Sequence, residues 1–136
     1  MDKIINFSDA ALLAIHALAE IAGEEEGLSN KKLAERLGVS GNHLSKVLQS
    51  MKRSGIIKSR RGPKGGYFLA KAPGEISFLE VVETIDGPLP KTACIFPNSI
   101  CRRKSCIFGD MTAEVTTKII DTLRNTTLSD FRAKED

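Results

Sequence analysis

The 136-residue sequence predicts a mainly α fold with one small β-hairpin, and three stretches decide it. Residues 29–53 hold two short segments with apolar stripes at helical spacing, separated by Gly38-Val39-Ser40. Residues 56–69 hold two β-prone runs, Ile56-Ile57-Lys58-Ser59-Arg60 and Tyr67-Phe68-Leu69, around the turn Arg61-Gly62-Pro63-Lys64-Gly65-Gly66. From about Asp110 a long segment repeats Met111, Val115, Ile119, Ile120 and Leu123 on one stripe. Two short helices joined by a glycine turn and followed by a hairpin make the winged helix-turn-helix pattern. The last segment adds a long C-terminal dimerisation helix.

Each element has a local cause. Ser8 caps a first helix, with Asp9 in the turn where the helix dipole favours an anion. That helix carries Ala10, Ala11, Leu12, Leu13, Ile15, Leu18 and Ile21 and stops near Gly23. It is apolar over most of its circumference, so burial from two sides is expected, with His16 packed rather than acting as a ligand. Ser29 caps the second helix, Leu28 staples to Leu33, and Leu33, Ala34 and Leu37 face inward. Gly38 ends it in a left-handed conformation. Ser40 caps the third helix, with Val39 and Leu44 as staple. Ser77-Phe78-Leu79-Glu80 reads as a capping box, stapled by Ile76 and Val81, opening a helix that ends at Asp86-Gly87-Pro88. The apolar stripe of the final helix needs a cover, and a second copy of the same helix is the simplest one; packing back onto its own domain is the alternative.

The third helix, residues 40–53, organises the rest. Leu44, Val47, Leu48 and Met51 anchor it, while Asn42, Lys46, Gln49 and Arg53, flanked by His43, Ser45 and Ser50, lie opposite. This outer face has no acid and is rich in groups that bond to base edges or phosphate oxygens, so it suits a DNA groove. The formal charge is only +3, yet residues 31–71 hold eleven Lys and Arg against the single acid Glu35. Charge gathered on one segment is the footprint of a polyanion partner. The candidate contacts to double-stranded DNA are Ser40, Asn42, His43, Ser45, Lys46, Gln49 and Arg53 on the helix. Arg60, Arg61 and Lys64 at the hairpin tip would enter a minor groove or grip phosphates. Recognition helices of a dimer sit about 34 Å apart, which implies a near-palindromic operator. The glycine-rich tip lacks the strand-loop-helix context of a nucleotide site. No run of apolar residues is long enough to span a bilayer, and MDKIINFSDA lacks the features of a secretory signal, so a cytoplasmic location is expected.

All three cysteines, Cys94, Cys101 and Cys106, fall in one short stretch. An odd number argues against a disulfide framework and for a metal or redox site. The spacing fits neither zinc ribbons nor bacterial ferredoxins, and suits a cluster with one weakly held or foreign ligand. Arg102, Arg103 and Lys104 lie between the last two cysteines, where positive charge favours thiolate. A thiol enzyme would need a paired imidazole, and the chain has only His16 and His43.

Several motifs carry a resemblance. Ser54-Gly55-Ile56-Ile57 running into Arg61-Gly62-Pro63-Lys64-Gly65-Gly66-Tyr67-Phe68-Leu69 is the most specific, joined by Phe7-Ser8-Asp9, the three-cysteine loop and Thr127-Leu128-Ser129-Asp130-Phe131. In these the chain resembles the bacterial winged-helix transcription regulators typified by IscR and NsrR, the Rrf-two family. The resemblance implies a homodimeric DNA-binding regulator, a repressor in the first instance, with crossed C-terminal helices. In many members three such cysteines hold an iron–sulfur cluster, which implies one on Cys94, Cys101 and Cys106 that senses nitric oxide, redox state or cluster supply. The alternative is a regulator of the same fold without a cluster, sensing by thiol oxidation or through a partner protein. The histidine that IscR places three residues beyond its last cysteine is Gly109 here. Asp9 falls where some NsrR members supply an aspartate ligand from the other subunit, which favours [4Fe–4S] over [2Fe–2S]. The expected organisation is a DNA-binding domain over 1–87, a cysteine loop over 88–109, and a dimerisation helix with tail over 110–136.

Overall fold

The computed structural model describes residues 7–89, 102 and 104–131. In order they form α1 (Asp9–Ala22), α2 (Asn30–Leu37), α3 (Gly41–Arg53), β1 (Ile57–Arg60), β2 (Gly66–Leu69), α4 (Phe78–Asp86) and α5 (Met111–Asn125), with 3₁₀ turns at Pro73–Glu75 and Leu128–Asp130. Serine hydroxyls cap four of these helices as expected: Ser8, Ser29, Ser40 and Ser77 each accept from a backbone N–H three residues on. Gly38 closes α2 at φ 67° and ψ 35°, the left-handed corner that turns the chain into α3.

One core joins these elements. Leu18 and Ile21 of α1, Leu33 of α2, Leu44, Leu48 and Met51 of α3, Ile56 and Ile57 at the wing, Ile76, and Val81 and Val82 of α4 are essentially inaccessible. The hairpin is antiparallel, with Ile57 opposite Leu69 and Arg60 opposite Gly66. Its second strand is stitched to the chain ahead of α2: Leu28 N–H donates to Tyr67 O at 3.2 Å, and Tyr67 N–H to Leu28 O at 2.7 Å. The wing is thus pinned to the helix-turn-helix.

Two expectations are corrected. Leu12 is 48% exposed and His16 is exposed rather than packed. With Asp9 they share one helical face of α1, which borders an open cleft with Arg36 and Leu37 instead of core. The capping box of α4 is half made: Ser77 Oγ accepts from Glu80 N–H, but the Glu80 carboxylate binds Lys71 Nζ. The chain beyond α5 returns to the start of α4. Phe78 N–H donates to Thr126 O at 2.9 Å, Leu128 N–H donates to Ile76 O at 3.2 Å, and Leu128 is 1% exposed. Phe131 stacks on Phe78 with centroids 5.1 Å apart. Residues 126–131 thus pack against Ile76 and Phe78.

The stripe of α5 is only partly covered within the protomer. The helix packs on α4, and Val115, Ile119, Ile120 and Leu123 are half-buried. Met111 at its start is 38% exposed, and Ile107 and Phe108 just before it are 67% and 48% exposed.

Candidate nucleic-acid interface and cysteine site

The amphipathic division of α3 is realised in full. Leu44, Val47, Leu48 and Met51 are buried, while Asn42, His43, Lys46, Gln49 and Arg53 are exposed on the other side. The first turn of α3 contains no acid, and neither does that of α2, whereas α1, α4 and α5 begin with Asp9, Glu80 and Glu114. Positive potential from bare N–H groups therefore adds to the side-chain charge on these two helices. Ser40 holds its hydroxyl on His43 N–H at 3.1 Å as a cap. Ser45 is half-buried, and its hydroxyl accepts from Asn30 Nδ2 of α2 at 2.9 Å. Sequence reading missed that bond, because α2 and α3 meet only in the folded chain.

On the wing, Arg61 and Lys64 are exposed in the turn. Arg60 sits lower, in β1, with its guanidinium carbon 4.6 Å from the Phe68 ring centroid. Stacking holds the charge in a set direction while leaving its outer N–H groups available. Arg60, Lys64 and Lys32 line a cleft of about 480 Å³ together with Glu25 and Glu26. Two of the eleven bases in residues 31–71 carry ion pairs among the described residues. Arg36 bridges Glu24 at 2.8 Å and Glu20 at 3.2 Å, and these carboxylates, Glu24 foremost, raise its pKa further. Lys71 is held by Glu80.

Of the three cysteines, Cys106 lies among the described residues; Cys94 and Cys101 lie outside them. Cys106 is exposed with a free thiol. Phe108 N–H approaches its sulfur at 3.4 Å and Thr112 Oγ1 at 3.7 Å. Donors around a ligating sulfur are the outer contacts that tune metal–thiolate sites, so the chemistry of this position fits a cluster ligand. Asp9 is exposed in the first turn of α1. Among the described residues no three His, Cys, Asp or Glu side chains converge within the protomer.

The signature of the Rrf2 family, described as an iron-dependent transcriptional regulator, matches residues 7–134. The chain belongs to the Rrf2 family. It is 36% identical over 87 residues to an Rrf2-like HTH-type transcriptional regulator of Rhodobacter capsulatus, covering 60% of this chain and 58% of that protein. It is 28% identical over 120 residues to the transcriptional regulator IscR of Pectobacterium atrosepticum, covering 87% of this chain and 73% of IscR. Its fold matches CymR, the global cysteine regulator of B. subtilis, with a TM-score of 0.81 at 22% identity over 97% of this chain and 99% of that one. It also matches T. potens IscR, with a TM-score of 0.71 at 23% identity over 93% and 85% of the two chains. This Rrf2 protein is a transcription regulator with a winged-helix fold and not an enzyme. Among the described residues no helix is long and apolar enough to cross a membrane.

Proposed function

We propose that this Rrf2-family regulator grips a near-palindromic DNA duplex as a homodimer, and that a metal or redox event at the cysteine loop sets its affinity. The observation that carries the reading is the face of α3: five exposed polar or cationic side chains, no acid, and a fully buried opposite stripe. Asn42 and Gln49 offer the amide pairs that bond bidentately to adenine, while Lys46 and Arg53 suit phosphate or guanine. Arg60, Arg61 and Lys64 grip the flanking backbone or minor groove. Replacement of Asn42 or Gln49 by Ala is expected to alter base preference by ~1–3 kcal/mol at one position, read by binding to a panel of single-base operator variants. Equal losses on every sequence would show that those side chains do not read bases.

For the signal, Cys94, Cys101 and Cys106 are the proposed cluster ligands, with Asp9 of the partner subunit as a fourth. A bound [4Fe–4S] group would supply reactivity towards nitric oxide and oxidants. The chain's part is to present Cys106 under the Phe108 N–H and Thr112 hydroxyl, one turn from the start of α5. Anaerobically purified protein is expected to be brown, and Cys106→Ser to lose the colour while its DNA-binding half stays folded. A colourless, iron-free protein under those conditions overturns the cluster. It would favour a second reading, supported by the exposed free thiol of Cys106: sensing by thiol oxidation without a cluster. Staphylococcus aureus CymR, to which the chain is structurally similar, has been solved in an oxidised form.

For the dimer, Ile107, Phe108 and Met111 are exposed apolar side chains at and just before the start of α5, whose stripe of Val115, Ile119, Ile120 and Leu123 is only half-buried. Substitution of Val115 by Glu is expected to convert a dimer to a monomer in sedimentation and to abolish high-affinity duplex binding.

A further inference from the structure

The two helices of the helix-turn-helix are joined by a polar contact that the duplex-reading role does not use. Asn30, the first residue of α2, donates from Nδ2 to Ser45 Oγ on α3 at 2.9 Å in a partly buried setting. Ser45 shares its helical face with Asn42 and Gln49, three residues before and four after it, yet it is half-buried while they are exposed. Gly41 gives an independent view of the same point. It has no positive φ that would demand glycine, and a Cβ there would stand 3.2 Å from Asn30 Oδ1 with nothing else within 4 Å. The Asn30 amide thus lies between the first turn of α3 and Ser45. Leu33 of α2 also shares one apolar cluster with the buried stripe of α3. Apolar burial fixes how closely the helices approach but has no preferred direction, whereas a hydrogen bond weakens steeply with misalignment. We propose that Asn30 is a positioning residue for DNA reading. Through Ser45 it sets the rotation of α3 about its own axis, and so the direction in which Asn42, Lys46 and Gln49 meet the duplex. Binding constellations need their side chains held within about 0.5 Å and 10–20°, and bidentate base contacts are among the most angle-dependent.

This inference rests on the proposed duplex-reading role of α3, and the test separates the two. The probes are an operator selected by the wild-type chain from a randomised duplex pool and a random duplex of equal length. Asn30→Ala is expected to weaken operator binding about tenfold, the size of one good base contact, while leaving random-duplex affinity and salt dependence unchanged. Ser45→Ala removes the same bond from the other helix and weakens binding equally, which keeps the test open if Asn30→Ala fails to fold. The double variant binds no more weakly than either single one. A purely structural contact would instead lower the thermal midpoint and leave the operator-to-random ratio untouched, which overturns the proposal. So would additive losses in the double variant, or a Ser45→Ala change confined to one base position that Asn30→Ala does not share. Absence of salt-sensitive duplex binding by the wild-type chain overturns both readings. Wild-type binding with an unchanged Asn30→Ala ratio overturns this one alone.

Discussion

Gly66 has no room for a side chain. Its φ is 146°, and an added Cβ would stand 2.8 Å from both the carbonyl carbon and oxygen of Leu28. The obstacle is backbone, pinned by the paired Leu28–Tyr67 hydrogen bonds, so no side-chain rotation relieves it. Gly66→Ala is expected to cost about 1–3 kcal/mol in urea unfolding, from overpacking and an unfavourable backbone conformation together. Gly62, at φ 99° with nothing within 4 Å, should cost less on the same substitution, since strain alone acts there. A Gly62→Ala cost equal to that of Gly66→Ala would show that the approach of Leu28 contributes nothing. The glycine-rich turn was legible in the sequence as a hairpin tip because turn chemistry is local. The reason Gly66 tolerates nothing larger was not, because Leu28 approaches it only after α2 and the wing have met.

At the scale of elements, helix starts were the most legible feature. Ser8, Ser29, Ser40 and Ser77 cap where expected, since a cap needs only a side chain and the next three residues. Periodicity located the apolar stripe of α1 but could not say which neighbour covers each face, and so His16 was misplaced. The stretch from Thr127 to Phe131 was recognisable as a motif without any visible packing role. Its role is to bring Leu128 into the core beside Ile76 and Val81. Leu128→Ala is expected to destabilise the chain by about 2–5 kcal/mol, the range for emptying a buried leucine site, measured by urea midpoint. Phe131, half exposed although stacked on Phe78, should cost clearly less on truncation to Ala. If Leu128→Ala leaves the midpoint in place, the C-terminal turn is not part of the cooperative unit.

At the scale of the molecule, the charge distribution decides how the protein meets a duplex. The concentration of bases in residues 31–71 was readable by counting, but the commitments of Arg36 and Lys71 were not. Their carboxylate partners, Glu20, Glu24 and Glu80, lie in sequence outside that window and reach it only through the packing of α1 and α4. Arg36 and Lys71 are therefore neutralised locally, while Lys46 on α3 and Lys64 on the wing are exposed and have no ion-pair partner among the described residues. Binding that neutralises phosphates releases counterions, and the salt dependence of affinity falls by about 0.9 for each phosphate left without its base. Lys46→Ala and Lys64→Ala each remove one phosphate contact per protomer and are expected to reduce the slope of log affinity against log salt by about two for the dimer, across a series from about 50 to 200 mM. Arg36→Ala and Lys71→Ala are expected to leave it unchanged, because removing a base that already faces an acid frees no phosphate-bound charge. A drop with Arg36→Ala as large as with Lys46→Ala would mean that its bridge to Glu20 and Glu24 opens on the duplex. The gripping surface would then extend along α2 rather than being confined to α3 and the wing.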